Sequence, residues 1–224
     1  MYHIKCSRVS ERVIVCGDPF RTKKIASFLE DPKLINENRC LLTYTGIYKD
    51  KEITVSTTGM GTPSAAIVIE ELIKLGAKII IRVGTTGSAR EDIEIGDIII
   101  PTLAIPLDGT TNTYLKKFKV DTKANEEIIK IIKEFLKDYR YHIGPICTSD
   151  VFYLEEERKD VLSYDMECSI IFTIANIRNC KAAAILTVNG KAWNEPRIIE
   201  NDKVNESINV CIKAALDTLV NLKN

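Results

Sequence analysis

Arginines close to glycines are the residues of this chain best suited to chemistry. In Cys16-Gly17-Asp18-Pro19-Phe20-Arg21, Gly17 leaves the backbone open to close approach. Asp18 can cap a helix, and Pro19 suits its first position. Arg21 then falls one helical turn in, near the positive end of the helix dipole. Backbone N–H groups with a guanidinium fork suit a phosphate. The same residues also fit an ordinary strand-to-helix turn with a solvent-facing arginine. A second stretch, Arg82-Val83-Gly84-Thr85-Thr86-Gly87, puts an arginine inside an otherwise apolar run. A buried guanidinium is costly unless its charge is paired. Its partner is either a buried carboxylate or a phosphate shared with the Thr85 hydroxyl and the Gly84 backbone. Both stretches are expected to be strand ends running into glycine-containing loops.

Three further stretches could hold an organic substrate. Thr58-Gly59-Met60-Gly61-Thr62-Pro63-Ser64 half matches a dinucleotide fingerprint, but Pro63-Ser64 replaces its end. The next strand ends in Arg82 rather than in the acid that would grip an adenosine ribose, which disfavours a nicotinamide cofactor. In Tyr164-Asp165-Met166-Glu167-Cys168, two carboxylates two residues apart face the same way on a strand. They could accept the hydrogen bonds of a vicinal diol, or cap a helix starting at Cys168. Phe152-Tyr153 could stack on a base or pack in the core.

Apolar patterning supplies the elements that must position these groups. Strands are expected over 12–16, 52–57, 78–83, 97–105, 141–148, 163–166 and 182–188. Helices are expected over 19–29, 63–75, 124–136, 168–177 and 204–222. Pro101 points to an edge or a bulge in its strand. Strands rich in Ile and Val on both faces predict an α/β fold with helices covering a central sheet. No repeat or linker divides residues 1–224, so one domain is expected.

The 224 residues carry 31 basic and 31 acidic side chains. That balance gives no general pull toward nucleic acid or an anionic membrane. No apolar run approaches the roughly 20 residues of a membrane span, and the first residues lack a signal-peptide core, so a cytoplasmic protein is expected. Seven scattered cysteines and two histidines argue against a metal site and read as reduced, buried thiols.

Six stretches in this order resemble the hexameric branch of the nucleoside phosphorylase family, which includes purine nucleoside, methylthioadenosine and uridine phosphorylases. They are GDPFR (17–21), NENRCLLTYTGIYK (36–49), TTGMGTPS (57–64), IIIRVGTTGS (79–88), TSDVFY (148–153) and DMEC (165–168). The resemblance runs from about His3 to Leu219. It implies a three-layer α/β/α fold whose mixed central sheet is barrel-like. It implies phosphate-binding roles for Gly17, Arg21, Arg82 and Thr85, and for Arg39 reaching into the neighbouring subunit's site. His3 would reach the neighbour's ribose 5′ end. Met60, Met166 and Glu167 would hold the ribose, with Glu167 on its 2′ and 3′ hydroxyls. Phe152, Tyr164 and Asn189 would meet the base, with Asn189 and Arg82 acting in catalysis. No cofactor is implied beyond inorganic phosphate as co-substrate. The implied assembly is a homo-oligomer, a hexamer built as a trimer of dimers.

Two departures bear on the base. Purine enzymes of the family usually carry Ser-Asp after the last core strand, where this chain has Val188-Asn189-Gly190. An Asn can hydrogen-bond a base edge but is no acid, which disfavours 6-aminopurines more than 6-oxopurines. Uridine phosphorylases share the Val-Asn, yet read uracil from an insertion that the short stretch 154–164 cannot contain, and the Arg after their Val-Asn is Gly190 here. An open pocket leans toward purine nucleosides, with uridine as the alternative. A hydrolytic nucleosidase and a non-catalytic nucleoside-binding protein are the rival functions. Lys191, Trp193 and Arg197 lie near this loop; Trp193 either covers the base or packs at the surface, and none of the three receives a role.

Overall fold

In a computed structural model of the chain, residues 1–154, 158–193, 195 and 197–222 are described. The expected stretches 154–164 and 187–196 therefore lie partly outside the described residues, at 155–157, 194 and 196. The elements begin with β1 (Arg12–Cys16), α1 (Pro19–Ala26), β2 (Glu30–Asn36), a single 3-10 turn (Asn38–Cys40), β3 (Thr43–Tyr48), β4 (Lys51–Thr57) and α2 (Thr62–Lys74). Next come β5 (Ile79–Ser88), β6 (Ile98–Pro106), α3 (Gly109–Lys117), α4 (Glu126–Phe135) and β7 (Tyr141–Thr148). The chain continues with β8 (Ser163–Asp165), α5 (Cys168–Ile177), β9 (Lys181–Lys191) and α6 (Asp202–Asn221).

The strands form one mixed sheet in the order β2-β3-β4-β1-β5-β8-β7-β6-β9, and β9 pairs again with β5. That last pairing closes β5, β8, β7, β6 and β9 into a barrel, and β1 to β4 extend from it as an open wing. Helices cover the sheet: α5 packs on α2, β9 and β6, and α6 packs on β9, β5 and α4. The fold is the mixed α/β arrangement with a barrel-like centre that the sequence led us to expect. Burial explains the unbroken apolar runs. Ile79 to Val83 are all buried, as are Ala182 to Val188, because both faces of these strands are covered.

β5 has a different neighbour at each end of one edge. Residues 79–82 pair with β1 and residues 87–88 with β8. Between them, residues 83–86 have no strand partner on that edge among the described residues. Sheets bind ligands where the strand order switches in this way.

Several expectations shift. Gly84-Thr85-Thr86-Gly87 is strand rather than loop, because β9 pairs along the whole of β5. Asn189 also lies within a strand. The β5–β9 register slips between Thr86–Val188 and Gly87–Gly190, which leaves Asn189 as the extra residue of a bulge. Pro101 sits beside a register shift on β6, an interior strand, so the bulge alternative holds and the edge alternative does not. β2, β3 and α3 were not expected. β2 carries Pro32 and is almost wholly exposed, so it shows no alternation. The β3–β4 hairpin turns at Lys49 and Asp50, both with positive φ (47° and 62°), the twist that two-residue hairpin turns favour.

Candidate active site

The loops after β1 and β4 and the switch in β5 converge on one cavity of about 830 Å³. That is within the usual range for small-molecule sites. Every site residue expected from the sequence borders it except His3.

On the anion side, Asp18 caps α1 by accepting from the Phe20 N–H at 2.8 Å, with Pro19 at the first helical turn. Gly17 permits close packing, since a Cβ there would lie 3.2 Å from the Gly59 carbonyl. Arg21 is half-buried, and no described carboxylate lies within ion-pair distance of it. Burial lowers its pKa, and the like charge of Arg82 acts in the same direction. A cation so placed favours an incoming anion. Arg39 sits in the 3-10 turn with φ 55° and is exposed, and it borders the cavity of its own chain.

Arg82 is buried, and the two alternatives for it meet here. Its Nε lies 3.1 Å from Asp165 Oδ2, and its terminal nitrogen lies 2.5 Å from Glu167 Oε2. Burial alone would lower its pKa, but Glu167 and Asp165 hold the charge firmly in place. The ion pair is thus present, while Arg82 and Thr85 still border the cavity.

The two carboxylates divide their work. Asp165 accepts from the Cys168 N–H at the start of α5 (2.9 Å) and from the Thr148 hydroxyl (2.7 Å), so the helix-capping alternative holds for it. Glu167 instead accepts from the Gly61 N–H at 2.8 Å. Gly59 and Gly61 have positive φ (71° and 85°), which lets the chain turn so that the N-terminus of α2 meets this carboxylate. Burial raises the Glu167 pKa, Arg82 opposes that rise, and Asp165 adds to it. The glycine-rich stretch at 58–64 therefore presents a backbone N–H to a carboxylate.

Met60, largely exposed, and Met166, half-buried, flank Glu167 on the cavity wall. Phe152, Tyr153, Tyr164 and the Asn189 bulge also border the cavity, with Lys191, Ala192, Arg197 and Ile198. Phe152 and Tyr153 pack edge to face at 5.1 Å. Lys191 and Arg197 are wall residues that the sequence left without a role. Their only sequence signal was nearness to the Val188-Asn189-Gly190 stretch.

His3 lies elsewhere. Its Nδ1 is 2.9 Å from Glu71 Oε1, and the same carboxylate accepts from the N–H groups of Tyr2, His3 and Ile4. A role for His3 at its own chain's cavity is not supported by this placement.

A family model described as the phosphorylase superfamily matches residues 11–221. The chain belongs to the phosphorylase superfamily. Among its superfamily relatives, a uridine phosphorylase of Thermococcus kodakarensis is 36% identical over 84% of this chain and 76% of that protein. A guanosine phosphorylase of Halorubrum lacusprofundi is 31% identical over 95% and 92%. A DeoD-type purine nucleoside phosphorylase of Bacillus cytotoxicus is 32% identical over 95% and 96%. The crystal structure of a uridine phosphorylase from Vibrio fischeri superposes with a TM-score of 0.90, at 31% identity, over 98% of this chain and 97% of that one. No helix among the described residues of this superfamily member is long and apolar enough to cross a membrane.

Proposed function

We propose that this phosphorylase-superfamily chain is a pentosyltransferase that cleaves nucleosides with inorganic phosphate, releasing the free base and ribose 1-phosphate. One observation carries this reading: Arg21, a half-buried cation with no carboxylate partner among the described residues, shares a single cavity with the buried carboxylate of Glu167. Arg21, the Gly17 backbone and Thr85 hold phosphate beneath the ribose, and Arg82 adds its charge from the ion pair. Glu167 accepts hydrogen bonds from the 2′ and 3′ hydroxyls, with Met60 and Met166 against the sugar. Bond cleavage builds positive charge on the ribose ring, and a pinned phosphate stabilises that charge and then attacks. The leaving base gains negative charge, which the Asn189 amide relieves by a hydrogen bond. Phosphate is the co-substrate, and the chemistry requires no cofactor.

We assign 6-oxopurine nucleosides, of the inosine or guanosine type, as the favoured substrates. Asn189 supplies a hydrogen bond but no proton, and the cavity volume accommodates the larger base. Uridine is the second reading, favoured by the identity to the Thermococcus uridine phosphorylase. Phosphate-dependent release of base from inosine, guanosine, methylthioadenosine and uridine tests both. Turnover of uridine alone overturns the purine assignment, and turnover unchanged without phosphate makes the chain a nucleosidase. The reading places the enzyme in cytoplasmic nucleoside salvage, as a hexamer in which His3 and Arg39 serve a neighbouring site. His3 faces Glu71 rather than its own cavity, which is consistent with such a role.

A further inference from the structure

The base end of the cavity is closed by a tie between two distant parts of the chain. Arg197 donates from one terminal nitrogen to the Phe152 carbonyl at 2.8 Å and to the Ala192 carbonyl, and from the other to the Tyr153 carbonyl at 3.2 Å. Its guanidinium carbon lies 5.9 Å from the centroids of both the Phe152 and Tyr153 rings. The backbone around it is seated as closely. The Ile199 N–H donates to the Asn189 carbonyl at 2.6 Å, and a Cβ at Gly190 would overlap the Arg197 carbonyl. Arg197 and Ile199 together thus join the bulge that carries Asn189 to the turn that carries Phe152.

We propose that Arg197 is a positioning residue for the base: it latches the end of β9 and residues 197–199 onto the aromatic turn and so presents the Phe152 ring to a planar heterocycle. The shape of guanidinium suits this task, since its donors point in fixed directions and can serve several carbonyls at once, whereas an ammonium cannot hold the same fan. Gly190 is required for the same reason, because any side chain there lifts the latch from β9. The proposal rests on the nucleoside reading for the identity of the heterocycle, but the latch itself is a property of the chain.

Trp193, the single tryptophan, reports on this segment. It packs half-buried against the small cluster of Ala89, Cys147, Val161, Tyr164 and Ala192. The experiment compares wild type with Arg197→Ala, Arg197→Lys and Gly190→Ala in three measurements: acrylamide quenching of Trp193 without substrate, KM for nucleoside and for phosphate separately, and thermal melting. We expect faster quenching in Arg197→Ala and Gly190→Ala, with melting temperatures close to wild type. We expect the nucleoside KM to rise about tenfold, equivalent to about 1.4 kcal/mol of lost stacking, while the phosphate KM moves less than about twofold. Arg197→Lys should recover only part of the loss. Unchanged quenching in both alanine variants overturns the latch. Faster quenching with an unchanged nucleoside KM, or with an equal rise in the phosphate KM, overturns the positioning role. If wild type phosphorolyses no nucleoside, the functional reading fails separately, and quenching together with titration of Trp193 by free bases still decides the latch.

Discussion

Arg21 and Arg82 carry the same charge in one cavity but stand in opposite electrostatic situations. Arg82 is neutralised twice over, by Asp165 and Glu167, while Arg21 is half-buried with no described carboxylate to meet it. An anion therefore gains more from Arg21. Arg21→Ala should raise the phosphate KM by about 10- to 100-fold, the worth of one charge-assisted hydrogen-bonding group, while the nucleoside KM changes less than about threefold. Initial rates with each substrate varied in turn check this. Glu167 provides a second test. Its carboxyl is raised above the ordinary 4.5 because it is buried, and the ionised form is the stronger acceptor for the two hydroxyls of a diol. kcat/KM should therefore fall on the acid side at a pH above the ordinary carboxylate range. In Glu167→Gln that limb should disappear and kcat/KM should be low at every pH. A profile in which the limb survives the substitution would assign it to another group.

At the scale of elements, local chemistry and long-range pairing contribute differently. Caps were readable from neighbouring residues: Asp18 and Pro19 start α1 as expected. The β5 extension and the Asn189 bulge were not readable, because both exist only through pairing between strands about a hundred residues apart. The N-terminal segment is fixed in a similar way, by Glu71 of α2. Burial works against that carboxylate, but the N–H groups of Ile4, His3 and Tyr2 and the His3 ring hold its pKa down to about 2. A depressed carboxyl stabilises the fold above its unfolded value of 4.5, and that contribution is lost as the pH falls toward 2. Glu71→Gln should cost about 1–3 kcal/mol at neutral pH, as expected when buried donors lose an acceptor. Melting curves of the two proteins should draw together below pH 4.5; a gap that stays constant would mean that the clamp does not depend on charge.

The whole molecule places the cavity where the barrel meets the open wing, at the point where β5 changes partner from β1 to β8. Arg39 lies on that wing, beyond β2, and borders its own chain's cavity. The family resemblance instead sends it to a neighbour. Mixed assemblies distinguish the two. If Arg39 acts across a subunit contact, co-assembled Arg39→Ala and Arg21→Ala chains should regain activity that neither has alone, because some sites then receive both arginines. Assays of separately purified and co-refolded variants check this. Absence of recovery in a confirmed mixed oligomer would assign Arg39 to its own site.

The residues alone determined which side chains could hold an oxyanion, a diol and a base, because glycine, arginine and carboxylate types at short spacing carry that chemistry locally. They also determined most strands and helices, because a buried sheet imposes apolar runs. Only the tertiary structure decided between the alternatives for each group. It paired Arg82 with carboxylates, gave Asp165 to the start of a helix and Glu167 to the Gly61 N–H, and brought Arg197 to the cavity wall beside Phe152. Those choices depend on which charges are buried together, and the distance between residues 82 and 167 or 152 and 197 is set by barrel closure rather than by sequence separation.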